Sequence, residues 1–254
     1  MIYARIISVE NPQPGPSGTT CESYRHSKFV YRRKYVEQTL LPQMKRLGFA
    51  SSELFKAVTD ADCDPIITRG PAGEPKSIVW MGKTVPIVSD STPCFLSQFE
   101  LWHLCIEKNV TLLALEDDAK LSPEYEGYLA AALQEYDYGP YDTDVLYLQL
   151  ALPYHPTSLH SFDPRHCTKL SDKLTRVNRT HDMAGTAAYA IKPEGARRMI
   201  AWGMEHGTRG TDGSLHRAFD AGKIGYLILT DFSKSFMLND HYAEWNHAHS
   251  CTAQ

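Results

Sequence analysis

Apolar and polar positions along this chain fall into two rhythms, short runs of aliphatic residues and longer stretches with a helical repeat. Their order predicts an architecture. Residues 2–9 are apolar and β-branched, read as a first strand, and lead into a Pro/Gly loop at 11–18. Ser27 is placed to cap a helix over about 28–47 that ends at Gly48, with Pro42 expected to kink or shorten it. A short strand is read at 54–58. Residues 60–91, rich in Pro, Gly and Asp, read as a long loop carrying a hairpin around the apolar island 77–81. Over 93–108, Phe95, Phe99, Trp102 and Ile106 recur on one helical face. The unbroken apolar run 110–115 predicts a buried central strand. Ser122-Pro123-Glu124 opens a helix to about Tyr136, and 144–150 reads as another buried strand. Residues 151–179 read as irregular. A strand at 187–191, a helix from Pro193 to about Met204, a short helix at 212–221 and a last strand at 224–229 precede a polar, aromatic tail from about 230. Strands alternating with helices predict a layered α/β domain, read as one unit over 1–254, without internal repeats.

A chain of 254 residues is long enough for a sizeable core. Its 26 Lys and Arg against 30 Asp and Glu leave a net charge of −4, so no global basic field draws it to nucleic acid or membrane. The local exception is the run Arg25, His26, Lys28, Arg32, Arg33, Lys34, Lys45 and Arg46. It reads first as a solvated helix face, and its part from Arg25 to Lys34 second as a surface for a diphosphate or an anionic acceptor. The six cysteines form no C-x-x-C pair and no zinc spacing, which suits reduced thiols in a cytosol, and Cys94 and Cys105 read as small core residues. The N-terminal apolar run is too short for a signal peptide and no segment approaches a membrane span, so a cytoplasmic location is expected. The sequons at Asn109 and Asn178 then read as chance matches.

The candidate chemistry lies at Glu116-Asp117-Asp118, directly after the buried run. Three adjacent carboxylates at the carboxyl end of a strand are costly unless a cation offsets them, and ligands of open α/β sheets sit at that edge. In an extended chain Glu116 and Asp118 would project together, with Asp117 turned elsewhere. Hard divalent cations favour such oxygens and keep phosphate oxygens in their shell. The plain alternative is an acidic, solvated loop start. No phosphate-binding P-loop and no G-x-S-x-G elbow is present, which weighs against those enzyme classes.

The run Leu113 to Leu121, centred on those carboxylates, resembles the LEDD segment of glycosyltransferase family 25, which includes lipopolysaccharide and collagen galactosyltransferases. Three further segments match that family in order: Arg32 to Val58 with Arg33, Leu47-Gly48 and Phe55-Lys56-Ala57-Val58; Cys94 to Trp102; and Gly185 to Ala196. Gly210-Thr211-Asp212 falls where the family carries Pro-Val-Asp. Departures are a first strand that runs into the Pro/Gly insertion, and Gln98 where the family has histidine. The resemblance covers most of 28–230. It implies a GT-A-like fold with a mixed, mostly parallel central sheet flanked by helices. It also implies a UDP-sugar donor (galactose or glucose), manganese or magnesium, and a glycan, lipid-linked glycan or other hydroxyl acceptor, as in lipopolysaccharide biosynthesis.

Under that resemblance Glu116 and Asp118 become metal ligands, with His241 of the histidine-rich tail as a further one. Asp212 is the candidate base of an inverting transfer, with Asp182 as runner-up; Asp212 would equally serve as a helix N-cap. Ser97, Gln98, Asp117, Gly185 and Thr186 are the candidate donor contacts. Tyr189 and Trp102 read as core. Two rival readings remain: transfer to a hydroxylated nucleic-acid base, which the overall acidity disfavours, and a non-catalytic sugar-binding or adaptor protein, which the intact carboxylate cluster disfavours.

Overall fold

A computed structural model describes residues 1–9, 31–89, 91–149, 164–178 and 185–238. The expected Pro/Gly loop and the Ser27 cap lie outside those residues. β1 (Ile2–Ser8) opens the chain. Residues 31–35 are helical, followed by a π-turn at Val36–Leu40 and then α1 (Leu41–Arg46). Pro42 therefore lies inside α1 without ending it, directly after a widened turn. It lacks an N–H and its ring crowds the carbonyl four residues back. The widened turn absorbs that conflict, and Leu41 donates its N–H to the Val36 carbonyl.

β2 (Ser51–Lys56) pairs in parallel with β1 in the register Tyr3↔Ser51 to Ser8↔Lys56, so it begins and ends earlier than its apolar content suggests. In place of a loop with one hairpin, the next segment holds the short α2 (Asp60–Cys63) and a small antiparallel sheet of β3 (Ile67–Arg69), β4 (Pro75–Trp80) and β5 (Lys83–Pro86). α3 (Thr92–Lys108) ends at Asn109 in the left-handed conformation, a position asparagine tolerates well. It leads into β6 (Thr111–Glu116), a turn at Asp117-Asp118, and β7 (Ala119–Lys120). Then follow α4 (Glu126–Tyr138), β8 (Val145–Tyr147), β9 (Cys167–Lys169), β10 (Leu174–Val177), β11 (Ala188–Ile191), α5 (Pro193–His206), α6 (Thr211–Asp220), β12 (Tyr226–Leu229) and β13 (Met237–Leu238).

The main sheet has the order β2-β1-β6-β11-β8-β12-β10-β9. Strands β1, β2, β6, β8, β9 and β12 run one way, and β10 and β11 run against them. This is a mixed, mostly parallel α/β sheet flanked by helices, compatible with a GT-A-like fold. The run 110–115 proves central because successive side chains serve opposite faces. Leu112 and Ala114 pack with Phe95, Phe99 and Trp102 of α3 and Met199 of α5. Leu113 and Leu115 pack with Val36, Leu40, Met44, and Leu129 and Leu133 of α4. The helical repeat of α3 lays Phe95, Phe99 and Trp102 on the sheet, with Phe95 and Trp102 edge to face at 5.6 Å. Cys105 is buried as expected, whereas Cys94 is exposed near the helix start. No helix among the described residues is long and apolar enough to cross a membrane.

Candidate active site

The sheet order brings three pieces of distant sequence to one edge. β6 ends at Glu116. β11 runs antiparallel to it, so the entry to β11, not its exit, lies there, and Glu116 donates its N–H to the Ala187 carbonyl at 2.8 Å. That places Gly185 and Thr186 beside the carboxylates. Thr186 Oγ1 donates to Glu116 Oε1 at 3.1 Å. α6 begins on the same rim.

Strand geometry stops at Glu116, and this changes how the carboxylates point. Asp117 and Asp118 occupy a turn, so Asp117 is not turned away as an extended chain would require. Instead Asp117 and Asp118 face one guanidinium: Arg32 donates from Nη1 to Asp117 Oδ1 at 2.9 Å and from Nη2 to Asp118 Oδ2 at 2.6 Å. Asp118 is only 9 % exposed, and its Oδ1 is buried with no hydrogen-bond partner. Glu116 is pushed up to about 7, first by loss of hydration, then by the negative charge of Asp118 and, more weakly, of Asp117; Thr186 and Arg32 pull it down.

Asp212 lies inside the first turn of α6, and Gly210 is the N-cap, which corrects the expectation that Asp212 itself caps the helix. Both of its oxygens accept backbone N–H groups, Oδ2 from Gly185 at 3.1 Å and Oδ1 from Gly213 at 2.7 Å. Gly185 has φ +87°, and a Cβ there would lie 2.2 Å from Gln149 Nε2, so only glycine fits. Its carbonyl accepts the Tyr147 hydroxyl at 3.0 Å. The Tyr147 phenol is raised by burial and then by Asp212 and Glu116, and stays a donor.

Ser97 and Gln98 are turned inward rather than toward a ligand. Ser97 Oγ accepts the Val58 N–H and donates to the Pro93 carbonyl, each at 2.9 Å, tying the end of β2 to α3. Gln98, 1 % exposed, accepts the Tyr189 hydroxyl at 2.6 Å, and Tyr189 in turn accepts Trp102 Nε1–H at 2.9 Å. Trp102 and Tyr189 are core, as read from the sequence. Asp182 and His241 lie outside the described residues.

Sequence reading missed Tyr147 and Gln149 as parts of this edge, and placed Arg32 only within a basic run rather than beside the carboxylates. A signal for Arg32 was present: Arg32, Val36 and Leu40 share one helical face, and Val36 and Leu40 are buried. Arg33, the residue singled out instead, pairs with Glu37 on the surface at 2.6 Å.

Among the described residues no group of three His, Cys, Asp or Glu side chains is gathered closely enough to cage a metal ion. The donor set nonetheless suits a hard cation held by one or two carboxylates and completed by phosphate oxygens. The orphaned Oδ1 of Asp118 is the observation that favours it.

Comparison with known proteins gives one family. Residues 82–206 match glycosyltransferase family 25 (LPS biosynthesis protein), just under half of the chain. No curated protein matches. Among solved structures, the inositol-1-phosphate CTP transferase from T. maritima is similar over 94 % of this chain and 89 % of its own, at 12 % identity and a TM-score of 0.39, a likeness too loose to carry any argument.

Proposed function

Since the chain carries a domain of glycosyltransferase family 25 over residues 82–206, we propose that it transfers a hexose, galactose or glucose, from a UDP-sugar to a hydroxyl acceptor with inversion. The reading takes the whole chain as one catalytic unit that uses Mn2+ or Mg2+. The observation that carries it is the carboxylate turn at the sheet edge: Asp118 with a buried, unpartnered oxygen, beside Glu116 and opposite Thr186.

Asp118 and Glu116 would hold the cation, with Asp117 toward the donor. When bound, the cation would offset charge on the departing diphosphate. The remaining work falls to the chain's own groups. Gly185 and Thr186, at the entry to β11, offer a surface against which the donor sugar can lie, held by Tyr147, Gln149 and Asp212. Asp212 is the candidate base. Each of its oxygens accepts one backbone N–H and keeps a second lone pair, so it can still take a proton from an acceptor hydroxyl within hydrogen-bond reach. Asp182 remains the alternative.

His241 is a further candidate ligand of that cation. A cytoplasmic setting is supported by Cys63, Cys94 and Cys105, which carry free thiols among the described residues. The acceptor class is a glycan, a lipid-linked glycan or another hydroxyl compound.

The test is Asp118→Asn. A neutral amide is a weak ligand for a hard cation. Manganese-dependent turnover of the donor should be lost while the circular dichroism spectrum stays near wild type. Unchanged turnover at limiting manganese would remove Asp118 from the metal site.

A further inference from the structure

We propose that Arg32 is a built-in counter-cation of the carboxylate turn, one that a divalent cation displaces and that then passes to the diphosphate of the donor. The proposal rests on the reading that Glu116 and Asp118 hold a cation.

The geometry is specific. One guanidinium forks across two different carboxylates, at 2.9 Å to Asp117 and 2.6 Å to Asp118. The side chains of Arg32, Asp117 and Asp118 are 16 %, 10 % and 12 % exposed, so this is a largely desolvated ion pair rather than a solvated surface contact of little worth. Its neighbour Arg33 shows the contrast, pairing with the half-exposed Glu37 one turn along the same helix. Arg32 is held on the inner face because Val36 and Leu40, at the next two positions of that face, are buried in the core. The backbone is thus anchored while a long, unbranched side chain reaches the turn.

The fork leaves the turn incompletely satisfied. Arg32 engages Oδ2 of Asp118, and Oδ1 stays buried without a partner. A cation drawn to Oδ1 would sit close to the guanidinium on Oδ2, and two positive charges at that separation repel strongly in a partly dry site. Cation and Arg32 therefore exclude one another on Asp118 unless an anion comes between them. A nucleoside diphosphate is such an anion: its oxygens complete the cation's shell and accept the planar, five-donor guanidinium. Cation and diphosphate then bind with positive coupling, and Arg32 is the residue that transmits it.

The experiment measures Mn2+ binding by calorimetry or by the paramagnetic resonance of free Mn2+, with and without UDP, so no turnover is needed. Wild type should bind Mn2+ weakly alone, and UDP should raise that affinity about tenfold or more. Arg32→Gln should bind Mn2+ alone about tenfold more tightly than wild type and should lose most of the effect of UDP. Arg33→Gln, which removes the same charge from the neighbouring position, should match wild type and so excludes a general electrostatic effect. Arg32→Lys keeps the charge but cannot bridge both carboxylates, and should fall between; it also serves if the glutamine variant folds poorly. Equal or weaker Mn2+ binding by both Arg32 variants without UDP would overturn the proposal and leave Arg32 as a scaffold for the turn. Failure of wild type to bind Mn2+ in either condition would instead overturn the metal reading itself, and this inference with it. Coupling that persists unchanged in Arg32→Gln sinks the inference alone.

Discussion

Both oxygens of Asp212 accept backbone N–H groups, and one of those groups belongs to Gly185, on the opposite side of the rim. The carboxylate thus fastens the turn that would face the sugar as well as being free to accept a proton. Asp212→Asn separates these roles. The amide retains one acceptor oxygen and puts an NH2 against the other N–H, so stability should fall by about 1–3 kcal/mol. If Asp212 is the base, kcat should fall about 100-fold or more while donor affinity, measured by calorimetry, changes little. A loss confined to donor affinity would make Asp212 a positioning residue and send the search for the base to Asp182. Gly185→Ala tests the other half of the same contact. Its Cβ would collide with Gln149 in a backbone conformation that disfavours alanine, so thermal unfolding should show a loss of about 1–3 kcal/mol. An unshifted midpoint would mean that the turn relaxes freely.

At the scale of elements, the central strands and long helices were legible because each buries a regular stripe. The alternation of Leu112 to Leu115 between two cores follows from an unbroken apolar run, and the spacing of Phe95, Phe99 and Trp102 is a plain helical repeat. The hairpin of β9 and β10 was not legible. It forms one edge of the sheet, only Leu174 and Val177 of β10 are buried, and the polar remainder reads as loop. The π-turn escaped for a different reason: sequence shows Pro42 but not how the preceding turn yields to it. The small β3–β5 sheet is joined to α3 by Trp80, whose Nε1–H donates to Glu100 Oε1 at 3.0 Å. Loss of hydration raises the Glu100 carboxyl above its usual 4.5, against the bond from Trp80. A raised carboxyl favours folding most below the unfolded value, and that contribution is lost as pH climbs through the folded one. Glu100→Gln keeps the acceptor for Trp80 and removes the charge. The variant should therefore gain stability relative to wild type at pH 7 and show no such gain at pH 4, in paired urea titrations. A gain of equal size at both values would place the effect outside ionisation.

At the scale of the whole molecule, Arg32, Glu116 to Asp118, Gly185-Thr186 and Asp212 meet only because β11 runs backward between β6 and β8. Composition and local pattern identified the carboxylates, since a charged triplet after a buried strand stands out on its own. They did not identify Arg32 as its partner, because that contact depends on which face of a helix packs against the sheet. Nor did they show that Gln98 lies beneath the site, as that follows from its bond to Tyr189 in the core. The match over 82–206 covers the carboxylate turn and the Gly185-Thr186 turn but neither Arg32 nor Asp212, so the geometry adds what the family alone leaves open. The most direct measurement is release of UDP from a panel of nucleotide sugars, with Mn2+ and with a chelator. Release from UDP-galactose or UDP-glucose should require the metal and disappear in Asp118→Asn. Intact nucleotide sugars throughout, or release that is the same in the chelator, would contradict the proposed function.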